Sequence, residues 1–512
     1  MSDTEVLIVG AGPTGLVLAL WLTKQGVPVR IVDKAAASGT TSRALAVHAR
    51  TLELYRQLDL DGPVAEKGYT VPGARLWIGG KEAARVPFEK LVSDLTPYGF
   101  LHIFPQDEHE RLLIDRLETL GVKVERPVEL LDYTERADGI EARLCGPDGS
   151  QSRTTAKFIA GCDGARSKVR EVMGSGFPGG TYAQVFYVAD VEGDGAAFNG
   201  DLNIDLEESD FIAIFPLADK GRIRLIGAIR PDEKKNLEML KFDDISDRAV
   251  QALQLKVKKV NWFSVYHVSH RVAEHFRKGR SFLLGDAAHI HTPVGGQGMN
   301  TGIGDAINLA WKLKAVLAGQ AEDSVLDTFE TERRAFAVRL VNTTDQGFKF
   351  VASSGHLAEI VRHRIAPILL PQIIKFGTVR EFIFRTISQI TLNYRGKGLD
   401  EGHVGSVHGG ERLPWVRGAG FDNYDALKRI DWQVHVYGDA HDALKRWCDD
   451  RGIPMQAYRW NEVMGEAGLK KDALYLIRPD TYVAFASTTQ DTVGIDNFLE
   501  KARLRLRMPA AA

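Results

Sequence analysis

The sequence predicts an α/β protein with three parts. These are a parallel sheet with crossover helices, a largely antiparallel sheet inserted into it, and a small α/β unit towards the C-terminus. Three observations carry this. A glycine-rich turn joins two apolar runs near the N-terminus, Val6-Leu7-Ile8-Val9 and Val29-Arg30-Ile31-Val32. Between residues 180 and 270 the chain reads as short strands separated by turns. Strand–helix alternation then returns at 281–318. At 512 residues the chain exceeds one ordinary core, so two or three domains are expected.

The first turn is Gly10-Ala11-Gly12-Pro13-Thr14-Gly15, and the second apolar run ends on Asp33. Strand, glycine turn, helix, strand and terminal acid together form the fingerprint of a Rossmann-like dinucleotide-binding unit. Gly10 allows the tight turn, Gly12 lets backbone approach a pyrophosphate, and Gly15 lets the helix pack closely on the sheet. The helix N-terminus offers free N–H groups and a favourable dipole to the anion. Asp33 is placed to bind a ribose hydroxyl. The fingerprint by itself does not distinguish one dinucleotide from another.

Further along, Thr51-Leu58 and 106–120 read as helical, and Ala74-Arg75-Leu76-Trp77-Ile78 alternates like a strand. Short strands are expected at Val122-Val124, Glu141-Leu144 and Phe158-Ile159, then at Tyr182-Asp190, Leu202-Leu206, Asp210-Phe215 and Arg222-Ile229. A helical stretch is expected from about 323 to 395, and glycines near His403 suggest a linker. The last segment alternates strands (Trp432-Val436, Tyr475-Ile477, Tyr482-Phe485) with helices (Asp442-Asp450, Asp496-Leu504).

Composition narrows the class. A net charge of -2 gives no broad footprint for nucleic acid or an anionic membrane. No apolar run is long enough to span a bilayer, and no secretory signal is expected. Cys145, Cys162 and Cys448 are scattered, without CxxC or metal-ligand spacing, so no metal site and a cytoplasmic setting are expected.

Two more motifs follow. Gly161-Cys162-Asp163-Gly164-Ala165-Arg166-Ser167-Lys168-Val169-Arg170 comes after an apolar strand. Leu284-Gly285-Asp286-Ala287-Ala288-His289 leads through Pro293-Val294-Gly295-Gly296-Gln297-Gly298-Met299-Asn300 into a helix with Ile303, Ala306, Ile307, Ala310 and Leu313 on one face. Asp286 ends a buried strand, where a carboxylate can accept hydrogen bonds from the hydroxyl groups of a ligand. The glycines leave room for a flat ring against backbone, and the helix N-terminus points positive charge at it.

With the first fingerprint, these motifs resemble the class A flavoprotein monooxygenases, the FAD-dependent aromatic hydroxylases of the p-hydroxybenzoate hydroxylase fold. The resemblance covers roughly residues 4–345. The C-terminal part, with Leu476-Ile477-Arg478-Pro479-Asp480, resembles the thioredoxin-like domain of the phenol hydroxylase branch.

The resemblance implies an FAD-binding domain at 1–70, 101–178 and 271–345, and a substrate-binding sheet domain at 71–100 and 179–270. A helical connection at 346–400 and a thioredoxin-like domain at 401–512 complete it. Tightly bound FAD would be held by Gly10, Gly12, Pro13, Thr14, Gly15, Asp33, Lys34, Arg43, Gln106, Asp163, Gly285, Asp286, Pro293, Gly296, Gly298, Met299 and Asn300. Pro293 would lie over the reacting edge of the flavin.

No second glycine fingerprint exists, and the resemblance implies that NADPH or NADH visits transiently. The resemblance also implies that reduced flavin takes up dioxygen as a C4a-hydroperoxide and hydroxylates a small phenolic or polycyclic aromatic substrate. The hydroperoxide needs shielding from water. His289 and His291 read as local hydrogen-bonding groups, Cys162 as filler, and Phe211, Phe215 and Tyr187 as candidate pocket walls. A homodimer is possible. A flavin-binding protein that sequesters an aromatic compound without turnover remains an alternative. A flavin-dependent halogenase fits less well, because its Trp-x-Trp-x-Ile-Pro stretch is missing.

Overall fold

A computed structural model describes residues 3–39, 44–78, 80–88, 95–207, 210–219, 221–229, 240–244, 253–292, 294–352, 381, 384–418 and 420–506. Arg43, Pro293 and most of the expected helical connection (353–380 and 382–383) lie outside the described residues, as does the side chain of Phe211.

The first sheet is built around β1 (Thr4–Val9), buried among apolar neighbours. The turn at Gly10 leads into α1 (Pro13–Lys24), with Pro13 at its first turn, where a missing N–H costs nothing. Leu16 to Leu22 are all buried, because this helix is covered by sheet on one side and helices on the other. The chain returns in β2 (Val29–Val32), parallel to β1. On the other side of β1 lies the parallel strand Gln151–Gly161, and beyond it Ser281–Leu283. Glu129–Arg136 and Gly139–Cys145 extend the sheet as an antiparallel hairpin on Gln151–Gly161.

Register is the decisive feature. Val9 stands opposite Gly161, and Gly161 opposite Leu283, so all three chains leave the sheet at one edge, side by side. Cys162 donates its N–H to the Val9 carbonyl (2.7 Å), and Leu284 donates to the Gly161 carbonyl (3.0 Å). Three motifs spread over nearly three hundred residues therefore line one crevice outside the carboxyl ends of the strands.

The second sheet has eight strands in the order His289–Ile290, Leu255–Val272, Gly179–Gly195, Arg222–Ile229, Asp210–Pro216, Leu202–Glu207, Gly73–Ile78, Lys81–Pro87. Every pairing is antiparallel except Leu202–Glu207 with Gly73–Ile78. Its first strand belongs to the third motif, which fixes this sheet to the crevice. The two faces differ. Tyr187 stands opposite Gly227 and packs with Ala189, Val191, Ile212 and Leu225 in a core on one side. Phe215 and Ile226 face the other way, onto Leu45, Ala46, Val71 and Ile103. Of the two described wall candidates, only Phe215 is on the side of the glycine loop; Tyr187 is core.

Helix α2 (Ala49–Tyr55), α3 (Gln106–Thr119) and the short α4 (Lys168–Met173) flank the crevice. Helix α5 (Gln297–Leu317) enters from two left-handed residues, Gly295 (φ 78°) and Gly296 (φ 62°). Its five expected apolar positions are all buried, and so are Asp305, Asn308 and Lys312. Helix α6 (Asp327–Ala352) packs beside it. The C-terminal unit is a separate mixed six-stranded sheet, with Val483–Ser487 and Leu474–Ile477 at its centre. No helix among the described residues is long and apolar enough to cross a membrane.

Candidate functional site

At the first motif the three glycines do different work. A Cβ at Gly10 (φ 102°) would lie 2.3 Å from the Cys162 carbonyl oxygen, and one at Gly15 would lie 2.0 Å from the Gly10 carbonyl oxygen. Both are glycine because backbone fills the space. At Gly12 nothing lies within 4 Å of the same position. That open space, at the cap of α1 with unpaired N–H groups, fits a pyrophosphate.

Asp33 follows β2. Its Oδ2 accepts the Ala11 N–H (2.7 Å) and its Oδ1 the Ala35 N–H (2.7 Å), while Arg126 Nη1 stands 3.4 Å away. Each carboxylate oxygen keeps a lone pair for a ribose hydroxyl. Arg126 also donates to the carbonyls of Ala11 and Ala37, and its buried Nε–H has no partner. Sequence reasoning missed it: its only local sign is its place after a two-residue strand parallel to β2. Glu110 was missed too. It is buried, accepts from Gln106 Nε2 (2.8 Å), and burial pushes its carboxyl up. Lys34 is exposed.

In the second motif Asp163 Oδ2 accepts the N–H groups of Lys168 (2.7 Å) and Val169 (3.2 Å), capping α4, while its buried Oδ1 has no partner. Burial pushes this carboxyl up. Gly164 has φ 76°, which demands glycine. Arg170 does not pair with Asp163. It donates to the carbonyls of Ala287 (2.9 Å) and Ala165 (2.7 Å), tying the second motif to the third. Burial drives the Cys162 thiol well above its ordinary range, which leaves it inert.

The third motif meets the first through Thr14. A Cβ at Gly285 would lie 2.7 Å from Thr14 Oγ1, and one at Gly302 2.3 Å. Asp286, by contrast, is exposed. Asp305 secures the turn: its Oδ2 accepts the Gly285 N–H (3.0 Å) and bonds His289 Nε2 (2.7 Å), and its Oδ1 accepts Arg333 Nε (2.6 Å). Burial raises this carboxyl, but Arg333 and His289 outweigh it and hold it low. His289 is a structural hydrogen-bonding group.

Asn300 was expected to hold the cofactor. Its side chain is instead fully committed to protein. Oδ1 accepts from the His48 N–H (2.9 Å) and Thr51 Oγ1 (2.7 Å), and Nδ2 donates to the carbonyls of Ala46 and Gly296 (2.9 Å each). An amide has four such positions, and all are used. Only its backbone remains for a ligand. Met299 and Gly298 are half-buried, and a Cβ at Gly298 would meet His291 Nε2 at 3.6 Å.

Two imidazoles flank this loop. His48 Nε2 pairs with the Gly295 carbonyl (3.0 Å), and His291 Nδ1 with the Thr292 carbonyl (2.8 Å). A carbonyl only accepts, so each ring donates there and presents its other nitrogen as a bare acceptor. Those atoms, His48 Nδ1 and His291 Nε2, are buried without partners, as is Thr292 Oγ1. Burial lowers both rings to about 4. Three unsatisfied polar atoms beside a left-handed glycine loop are what the polar edge of a flat heterocycle would satisfy.

A crevice at the edge of a parallel sheet, with a pyrophosphate turn at one end and a glycine cradle at the other, defines a Rossmann-type flavoprotein. Residues 3–344 match the family described as FAD binding domain. The chain is 36% identical to 6-methylpretetramide 4-monooxygenase of Streptomyces rimosus, covering 98% of this chain and 94% of that protein. It is 30% identical to pentachlorophenol 4-monooxygenase of Sphingobium chlorophenolicum, over 81% of this chain and 76% of that one. The structure of the anhydrotetracycline hydroxylase OxyS from Streptomyces rimosus superposes with a TM-score of 0.79 at 26% identity, covering 99% of this chain and all of that one. A ternary complex of aklavinone-11 hydroxylase with FAD and aklavinone gives 0.80 at 25% identity, over 98% and 99%. The chain belongs to this FAD-binding family, as a class A FAD-dependent aromatic hydroxylase.

Proposed function

We propose that this enzyme uses NADPH or NADH and dioxygen to hydroxylate a phenolic, fused polycyclic aromatic substrate. The observation that carries the reading is the apolar wall facing the glycine loop. Ala46, whose Cβ a side chain at Gly296 would approach to 2.9 Å, belongs to one cluster with Phe215, Ile226, Leu101 and Tyr69. Such a wall suits a flat aromatic body and keeps water out. The likeness to enzymes named for 6-methylpretetramide, anhydrotetracycline and aklavinone supports a polycyclic substrate.

FAD, when bound, would supply the redox chemistry: acceptance of a hydride from the nicotinamide and transfer of one oxygen atom of dioxygen, the other leaving as water. The protein supplies position. Gly12 and the N-terminus of α1 would hold the pyrophosphate, Asp33 the adenosine ribose, and Asp163 and Asp286 the polar chain between ribose and ring. Gly295, Gly296 and Gly298 would seat the ring itself, and the positive end of α5 would favour its anionic form. His48 and His291, with ring values of about 4, are weak bases. They accept hydrogen bonds at neutral pH and do not store a proton.

The test is product mass. The FAD-loaded enzyme with NADPH is expected to convert members of a polycyclic phenol panel into products heavier by one oxygen. Substrate binding with no oxygen gained and no stimulated NADPH oxidation across the panel would mark a sequestering protein instead.

A further inference from the structure

We infer that the Arg478-Pro479-Asp480 turn of the C-terminal unit is a positioning element for the two flavin loops, so that this unit sets how tightly FAD is held. The inference rests on the placement of the flavin at Gly285–Asn300 proposed above.

Arg478 and Asp480 are 1% and 2% exposed, in a unit with its own sheet and core. Burying charges this completely is costly unless every one is paired. They are paired with each other and outward, into the flavin-binding part of the chain. Arg478 donates Nη1 and Nη2 to the two oxygens of Glu332 on α6 (2.6 and 3.0 Å), and Nε and Nη2 to Asp480 (2.9 and 2.7 Å). Asp480 Oδ2 accepts Trp311 Nε1 from α5 (3.1 Å). Glu332 also takes Lys312 Nζ (2.8 Å) and Asn308 Nδ2 (2.6 Å), so the turn grips both helices at once.

From this anchor two arms run to the crevice. In the first, Arg50 Nη2 on α2 donates to the Asp480 carbonyl (2.9 Å). The same helical turn presents Thr51 to Asn300, and Asn300 closes on the Gly296 carbonyl. In the second, Arg333 adjoins Glu332 on α6, holds Asp305, and through Asp305 fixes the Gly285 N–H and His289. Each arm ends on a different flavin loop. Both begin at a turn about a hundred and eighty residues beyond that site.

A purely stabilising role would need neither the second arm nor a shared anchor. Two rigid arms that end on Gly285 and Gly296 set the distance between the loops, which is the dimension that the flavin must match.

The experiment uses the full-length protein and FAD as the probe. In Trp311→Phe the Nε1–H bond to Asp480 is lost and no charge is orphaned. In Arg478→Lys the charge stays and the two-pronged grip is lost. Each variant is purified without flavin and titrated with FAD by fluorescence quenching. The visible flavin spectrum and the thermal midpoint of the flavin-free protein are recorded alongside. FAD Kd is expected to rise between about threefold and thirtyfold, with a blurred flavin spectrum, at temperatures where the flavin-free variants remain folded. If both variants hold FAD within about twofold of the unaltered protein, the inference is overturned. Asp286→Ala serves as a control. Full FAD retention there overturns the placement of the flavin, whatever the turn variants do.

Discussion

The Asp33 carboxylate, expected to bind a ribose hydroxyl, also accepts the N–H of Ala11 at 2.7 Å within the glycine turn. The acid at the end of β2 therefore both shapes the turn and offers its remaining lone pairs outward. Asp33→Ala removes the acceptor from two backbone N–H groups at once. We expect the flavin-free protein to lose about 1–3 kcal/mol, read by urea unfolding, and FAD affinity to fall at least about tenfold. A variant that loses stability but binds FAD normally would limit Asp33 to shaping the turn.

The fingerprint glycines separate folding from binding. Gly10→Ala and Gly15→Ala drive a methyl group into backbone at 2.3 and 2.0 Å, and each should cost about 3 kcal/mol or more. Gly12→Ala meets nothing within 4 Å. It should leave the melting temperature of the flavin-free protein nearly unchanged while weakening FAD binding. Comparing thermal melts with and without FAD checks both halves.

Acid stability follows from buried neutral imidazoles. Burial lowers His48 and His291 to about 4, and His109 and His435 to about 3, against an ordinary 6.5. Below pH 6.5 the unfolded chain binds a proton at each, while the folded protein stays neutral. Their contribution is thus fully present above pH 6.5 and is lost as pH falls towards 4 and then 3. Between pH 6.5 and 4 each ring adds a slope of about 1.4 kcal/mol per pH unit, so the four together add about 5 to 6. Urea unfolding at pH 6 and 5 measures it, and His435→Gln should reduce the slope by about a quarter. An unchanged slope in that variant would remove His435 from the account.

Much of the crevice could be read from residues next to one another in the chain. Gly12 and Gly15 carry their reasons locally, in a turn between two apolar runs, and the buried face of α5 shows in its period, whereas the Cys162 carbonyl that excludes a side chain at Gly10 arrives only through the sheet. The role of Asn300 could not be read this way. Its four partners come from residues 46–51 and from Gly296, and nothing adjacent announces that the amide is already spent. Tyr187 and Phe215 looked equivalent as aromatics on strands. Only pairing register puts them on opposite faces, because a shift of one residue reverses a strand.

The sequence by itself determined the βαβ start, the three strand-ending motifs and their order, and hence a flavoprotein fold. Local geometry suffices for that, since glycine turns, apolar strands and helix starts are short-range choices. Only the tertiary structure decided that Val9, Gly161 and Leu283 end side by side, and that Glu332, Lys312, Arg333 and Arg478 are interior. Read along the chain, those charges belong on a solvated surface. They are buried because each meets its counter-charge on another element, up to 146 residues away.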